Sequence, residues 1–266
     1  SSGHIGGAVL LAALLGPAPA FIVMAGVLLI QALFFADGGL LAWGCNLFNL
    51  GFFGCFLAYP YVFRPIAGKR MSRGRIFAAS LLACIVSLEL GAFAVTLETL
   101  LSGITELPFS LFAAVMLPIH LAIAVGEGIA TGAVLIFLRR NLPDAEKLRL
   151  EEGTFSVGRL AMVLGLSALV IGGGVSLLAS GSPDGLEWSM EKTAGTTELE
   201  HAGALHGLVA EIAEWFALLP DYALPGVDSR IGTSIAGIAG VGLCVLILGL
   251  CGYALRSKKA HRDVLR

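Results

Sequence analysis

The sequence predicts an all-α protein, a polytopic transmembrane helix bundle with an extracytoplasmic loop between its last two spans. Three observations lead there. Hydrophobic residues make up 57% of the chain and charged residues only 14%, against about 25% charged in soluble domains. The mean hydropathy is +0.88, and the apolar residues gather into runs near the roughly 20 needed to cross the hydrocarbon core of a bilayer. The 35 glycines suit helices that approach closely in lipid. The net charge of −2 says little beside its distribution along the chain, and no nucleic-acid partner is expected.

Taken in order, Gly6 to Leu15 is a short apolar stretch ended by Gly16-Pro17-Ala18-Pro19, since proline removes a hydrogen bond from a helix interior. Ala20 to Phe35 resumes as a second apolar run. Asp37-Gly38-Gly39 reads as a turn, and a span follows from Leu40 to Phe63. A basic cluster comes next, with Arg64, Lys69, Arg70, Arg73 and Arg75. Spans over Ile76–Leu101 and Phe109–Leu138 are joined by a short connection holding Glu106 and Pro108. A charged loop covers Arg139 to Arg159, and another span runs from Leu160 to Ala179. Residues 180–230 are polar, with an amphipathic helix expected near Leu205–Leu218. The last span, Ile231–Leu255, ends in Arg256, Lys258, Lys259, Arg262 and Arg266. The result is about six spans and a short leading segment.

Orientation follows from the basic residues, which favour cytoplasmic loops. With 64–75 inside, the loop 139–159 and the C-terminal tail also fall inside, and 180–230 falls outside. Only Lys192 and Arg230, of the 17 lysines and arginines, then lie on the outer side. Counting backward places Asp37 and His4 outside. The 180–230 segment carries nine acidic residues against two basic ones. It reads either as a solvated loop or as a surface that draws cations electrostatically.

Ionisable groups in or beside spans are expensive and raise functional hypotheses. They are His4, Glu89, Glu98, His120 and Glu127. His120 and Glu127 are seven apart, on one face of one helix about two turns apart. Asn46 and Asn49 share a face near the outer surface, where Asp37, Glu98 and His4 add polar groups. Imidazole is a good ligand for Ni²⁺, Co²⁺ and Zn²⁺. Yet the chain has no HExxH, no paired histidines at helical spacing, no P-loop and no G-x-S-x-G. The five cysteines (Cys45, Cys55, Cys84, Cys244 and Cys251) form no CxxC pair, and read as small apolar packing residues. His120 and Glu127 suit either a hydrogen-bonded network between helices or a functional role. A proton-coupled permease would relay protons through Glu89, His120 and Glu127. An intramembrane enzyme using His120 and Glu127 as acid and base would lack a nucleophile.

Several stretches resemble one family in one order. Ser2-Gly3-His4-Ile5-Gly6-Gly7, Leu14-Leu15-Gly16-Pro17, Gln31-Ala32-Leu33, Asp37-Gly38-Gly39-Leu40 and Gly44-Cys45-Asn46-Leu47-Phe48-Asn49 resemble the substrate-capture proteins of nickel and cobalt energy-coupling-factor transporters, the NikM and CbiM families. The pattern continues at His120, Glu127-Gly128 and Thr131. Ser182-Pro183-Asp184-Gly185-Leu186-Glu187-Trp188 resembles the auxiliary NikN or CbiN component, in which an extracytoplasmic loop joins two spans.

The resemblance implies a capture domain over 1–150 and an auxiliary two-span region over 151–266 with its loop at 180–230. It implies a transporter subunit in a bacterial or archaeal inner membrane, with its C-terminus cytoplasmic. Ni²⁺ or Co²⁺ would be the transported substrate, with no organic cofactor. A transmembrane coupling protein and ATP-binding cassette ATPases would be the partners, beside membrane lipid. In the family a Met-His start supplies nitrogen ligands and a second histidine in the Ser-Gly-His segment completes the set. That histidine maps onto His4. The Met-His start is expected some sixty residues upstream. Asp37, Asn46, Asn49, Glu98, His120 and Glu127 would be supporting polar residues.

Overall fold

The helix boundaries follow the punctuation of the sequence closely. The structure, a computed structural model, describes residues 5–68, 71–103, 107–141, 157–196, 204–224 and 226–264. Among them every regular element is a helix. Helix α1 (Ala8–Leu15) ends at Gly16, whose backbone at φ 86° closes onto the Ala12 carbonyl. Helix α2 then starts at once and runs Pro17–Phe34, three residues before the expected start. Pro17 and Pro19 do not delay it, because N–H groups in a first turn have no partner within the helix anyway.

The third span winds differently from an ordinary helix. One turn of α3 (Trp43–Asn46) leads into a π-helix over Leu47–Phe63, and α4 (Arg64–Ala67) closes it. It therefore reaches four residues past the expected end. Helices α5 (Arg73–Ser102) and α6 (Phe109–Asn141) match the two central spans. Helix α7 (Val157–Gly173) continues into a 3-10 turn at Val175–Leu178. Short helices α8 (Gly185–Ala194) and α9 (Ala204–Phe216) occupy the polar stretch, the latter where an amphipathic helix was expected. The last span is α10 (Ser229–Val264). Among the described residues, five helices are long and apolar enough to cross a membrane, while the expected span at 160–179 is the shorter apolar stretch Met162–Leu178. The chain is thus a multi-pass helical membrane protein. Lys69, Arg70, Glu106 and most of the loop 139–159 lie outside the described residues.

By their contacts the residues form two units, and the division passes through α2. In the first (1–25, 44–155 and 180–203), small residues set how near the helices come. A Cβ built on Gly128 of α6 would stand 2.6 Å from the Leu81 Cα of α5, and one on Gly132 3.4 Å from the Phe77 Cα. A Cβ on Gly54 of the π-helix would meet the Ala8 Cβ at 2.6 Å. Such close approach is how helices associate where lipid offers no hydrophobic drive. Helix α8 opens with a reciprocal cap: Glu187 N–H donates to Asp184 Oδ1 at 2.9 Å, and Asp184 N–H to Glu187 Oε2 at 3.1 Å. This satisfies two donors that a helix start leaves orphaned. Its Leu186 and Met190 then pack on Ala92, Leu107, Phe112 and Met116.

In the second unit (26–43, 156–179 and 204–266), α7 and α10 cross at Gly172 and Gly237. There a Cβ on Gly237 would overlap the Gly172 carbonyl. Beside the crossing Ser234 Oγ donates to the Gly173 carbonyl. Val245, Leu246 and Leu250 of α10 are exposed, as expected of side chains that face lipid.

The same unit contains a dense latch. The backbone N–H groups of Leu218 and Leu219 donate to the Phe34 carbonyl, and that of Asp221 to the Phe35 carbonyl, at 2.9 to 3.1 Å. The Tyr222 hydroxyl donates to Asp37 Oδ2 at 2.6 Å, and Gln31 Nε2 to the Tyr222 oxygen at 3.2 Å. Phe35 stacks on the Tyr222 ring with centroids 4.7 Å apart. Burial, together with the charge and hydrogen bond of Asp37, pushes the Tyr222 phenol above its ordinary value of 10.0.

Two outcomes are expected. Gly237→Val forces α7 and α10 apart and costs about 1–3 kcal/mol, the range for overpacking. Gly242→Ala, which meets nothing within 4 Å, leaves thermal unfolding in detergent unchanged; equal melting of the two variants would refute the tight crossing. Tyr222→Phe removes a hydrogen bond to a carboxylate and costs about 1.5 kcal/mol. Because folding raises the Tyr222 value, its contribution is complete below pH 10.0 and fades as pH climbs through the folded value. Melting of the wild type should therefore fall more steeply above pH 10.0 than melting of Tyr222→Phe, and parallel curves would dismiss the latch.

Candidate functional site

The polar residues singled out from the sequence fall into separate local arrangements. In the first unit the densest surrounds Glu127, near the middle of the 33-residue α6 and only 2% exposed. Gly6 N–H donates to its Oε2 at 2.9 Å and Gly7 N–H to its Oε1 at 3.1 Å. Cys84 Sγ of α5 lies 4.0 Å from Oε1 and 3.8 Å from the Thr131 hydroxyl, one turn along α6. Glu127 thus faces the N-terminus of α1, where the helix dipole favours negative charge. His4 lies outside the described residues, two positions before Gly6 in the chain.

A second arrangement joins α5 to the third span. Asn49 is buried at the start of the π-helix, and its Nδ2 donates to Glu98 Oε2 at 2.9 Å. The close fit is set by Gly91, where a Cβ would overlap the Asn49 carbonyl. Asn49 Oδ1 is buried with no hydrogen-bond partner. Asn46, in the turn before, is half-buried. Glu89 lies mid-way along α5 with its Oε1 likewise buried and unpartnered.

His120 and Glu127, on one helix, are directed to different neighbours. His120 Nδ1 donates to the Met116 carbonyl one turn back, at 2.8 Å. Its ring edge abuts Gly185, where a Cβ would come 3.0 Å from His120 Cε1 and 2.8 Å from Ile123 Cδ1. The glycine of the Pro183-Asp184-Gly185 stretch is therefore what lets α8 settle on α6. In the second unit Asp37 is the acceptor of the Tyr222 latch and also receives Gln31 Nε2 at 3.4 Å.

The sequence reading identified Glu127 but not its backbone partners, and it missed Gln31 and Tyr222 as ligands of Asp37. The Gly6-Gly7 pair was the available signal for the first, since consecutive glycines before a helix expose their N–H groups. Among the described residues no three His, Cys, Asp or Glu side chains gather as a metal cluster would require.

Comparison with known proteins identifies the family. Residues 1–145 match the CbiM family, the cobalt uptake substrate-specific transmembrane region. Residues 158–257 match the PDGLE domain. A putative fused nickel transport protein NikMN of Archaeoglobus fulgidus is 32% identical over 255 residues, covering 96% of this chain and 77% of that protein. The fused nickel transport protein NikMN of Rhodobacter capsulatus is 31% identical over 274 residues, covering 94% and 78%. The cobalt transport protein CbiM of Sorangium cellulosum is 33% identical over 146 residues, covering 53% and 63%. No solved structure matches the chain. The chain belongs to the CbiM family of nickel and cobalt transport membrane proteins, and carries a PDGLE domain behind its CbiM region.

Proposed function

We propose that the protein is the substrate-binding membrane subunit of an ATP-driven nickel, or cobalt, uptake transporter. The observation that carries this reading is the fixing of Gly6 and Gly7, which follow His4 in the sequence by two and three positions, onto a buried carboxylate within a bundle of membrane helices. Chain fixed so close in sequence to a candidate ligand suits capture of a small cation. Nickel is favoured by the two NikMN relatives, which align along nearly the whole chain and are named as fused nickel transport proteins.

In this reading residues 1–150 form the capture domain and 151–266 the auxiliary region. His4 offers its imidazole, a ligand suited to Ni²⁺ and Co²⁺. Asp37, Asn46, Asn49, Glu98, His120 and Glu127 hold the surrounding backbone in place. The 180–230 loop organises the capture side, a role that the packing of α8 on α5 and α6 supports. The metal enters from outside, and the C-terminus is cytoplasmic. The sequence contains no P-loop, so a transmembrane coupling protein and cassette ATPases supply the energy.

Calorimetry with Ni²⁺ and Co²⁺ on the purified protein tests the site. The wild type should bind, and His4→Ala should bind at least about tenfold more weakly, as loss of a direct ligand exceeds the smaller losses seen for outer partners. Undiminished affinity in His4→Ala would rule out the ligand assignment. Nickel uptake by vesicles carrying the protein without any ATPase would rule out the ATP-driven coupling.

A further inference from the structure

Helices α5 and α6 touch through small residues and then part. At Gly128 and Gly132 of α6 a Cβ would stand 2.6 Å from the Leu81 Cα and 3.4 Å from the Phe77 Cα. One turn further along the same face the residue is Ile136, and a branched side chain no longer permits that approach. There, between Ile76 of α5 and Ile136 of α6, a cavity of about 220 Å³ opens. It lies at the ends of two membrane spans, since Arg73 begins α5 and Arg139 and Arg140 stand in the last turn of α6.

The wall is chemically divided. Ile76, only 1% exposed, and the half-buried Ile136 make an apolar side. Arg73, Arg139 and Arg140 line the rest, and no carboxylate is among the described lining residues. Three guanidinium groups around one small volume repel one another, and an anion between them relieves that repulsion. The arginines also differ from each other. Arg139 is half-buried and donates from Nη1 to the Met71 carbonyl. It thereby braces a residue whose φ of 40° needs restraint from its surroundings. Arg73 and Arg140 are exposed and have no such backbone task among the described residues. Beside them Ser72 makes no side-chain cap on α5, so the N–H groups of that first turn add further donors.

This wall selects a class of ligand. Its charge rejects a bare metal cation. Guanidinium forks match the oxygens of a phosphate in pairs, and the apolar side meets whatever the phosphate is esterified to. The end of a membrane span is also the depth of lipid headgroups, which basic pockets between helices are known to hold.

We propose that the cavity between the start of α5 and the end of α6 binds a phosphate group, supplied by the headgroup of an anionic phospholipid. Arg73 and Arg140 bind the phosphate, Arg139 holds the turn that carries Arg73, and Ile76 and Ile136 meet the glycerol end of the lipid.

Native mass spectrometry and thermal unfolding of the full chain in a non-ionic detergent test the site. The probes are phosphatidylglycerol, diacylglycerol with the same acyl chains, and inorganic phosphate. Phosphatidylglycerol should bind and raise the melting temperature, and diacylglycerol should do neither. Arg140→Gln should weaken phosphatidylglycerol binding about tenfold or more, the effect of losing one hydrogen bond to a charged group. Arg64→Gln removes an exposed charge of α4 that does not line the cavity, and should leave binding unchanged. Ile136→Trp fills the cavity without altering charge and should weaken binding as Arg140→Gln does, which keeps the test decisive if the arginine variant fails to fold. Inorganic phosphate that displaces the lipid, or stabilises the wild type and not Arg140→Gln, supports the phosphate chemistry with a soluble source. Equal losses in Arg64→Gln and Arg140→Gln would reveal only a general attraction between basic surface and anionic lipid, and overturn the site. Binding that survives Ile136→Trp, or equal stabilisation by phosphatidylglycerol and diacylglycerol, overturns it as well.

Discussion

Hydrocarbon offers no hydrogen bonds, and unit one is arranged around that lack. A short helix beginning inside a bundle exposes N–H groups that nothing in lipid satisfies, at several kcal/mol each. A carboxylate buried at the same depth has the opposite deficit. Gly6, Gly7 and Glu127 cancel the two with a pair of bonds of 2.9 and 3.1 Å. Much of the neighbouring packing serves to make that meeting possible. Gly128, the residue after Glu127, lets α5 come against α6 at Leu81, which brings Cys84 to the flank of the carboxylate. Gly54 leaves room for Ala8, so α1 can sit where its first N–H groups reach Glu127.

The Tyr222 latch of unit two resolves a different problem, the docking of two irregular stretches. Ala36, Asp221 and Tyr222 all have positive φ, at 54°, 51° and 57°. Non-glycine residues in that region persist only where their surroundings over-determine them. Here three backbone bonds from Leu218, Leu219 and Asp221, the Asp37–Tyr222–Gln31 network and the Phe35 stack supply the compensation. Each strained residue lies within or directly beside those bonds. The conformation and its restraints form one object, which explains why a tyrosine occupies the site: its ring stacks while its hydroxyl reaches the carboxylate.

The spans were legible because a helix in lipid is announced by its own composition, and runs such as 76–101 and 109–138 needed no knowledge of neighbours. The amphipathic helix near 205–218 was equally local. What escaped depended on distant chain. The π-winding over Leu47–Phe63 leaves no mark in an apolar run that fits an ordinary helix equally well. Spacing put Asn46 and Asn49 on one face, yet only contact with α5 selects Asn49 as the partner of Glu98. Likewise, His120 and Glu127 share a helix face, but one bonds within its own helix while the other receives backbone donors from the far end of the sequence. The Gly6-Gly7 pair could mark exposed backbone donors before a helix, but no local pattern could name Glu127, 120 positions on, as their acceptor. Tyr222 was similarly hidden in a polar stretch remote from Asp37.

The glycine pair nevertheless has a physical necessity that becomes evident once the geometry is known. In an extended chain successive N–H groups point to opposite sides, so one carboxylate cannot take both. The backbone of Gly6 sets the direction of its own N–H against that of Gly7, while Gly7 itself is left-handed at φ 78°, a conformation that a residue with a Cβ adopts only with strain. Gly7 has nothing within 4 Å of its absent Cβ, so its side chain is missing for conformation and not for space. At Gly6 the nearest atom to such a Cβ is Glu127 Oε2 at 3.5 Å, which leaves room for a methyl group and makes the N–H donor the feature that matters. The two neighbours thus contribute differently to one interaction. Both donate, Gly7 also turns the chain into α1, and together they allow a charged side chain to hold the start of a helix in a medium that would otherwise exclude both.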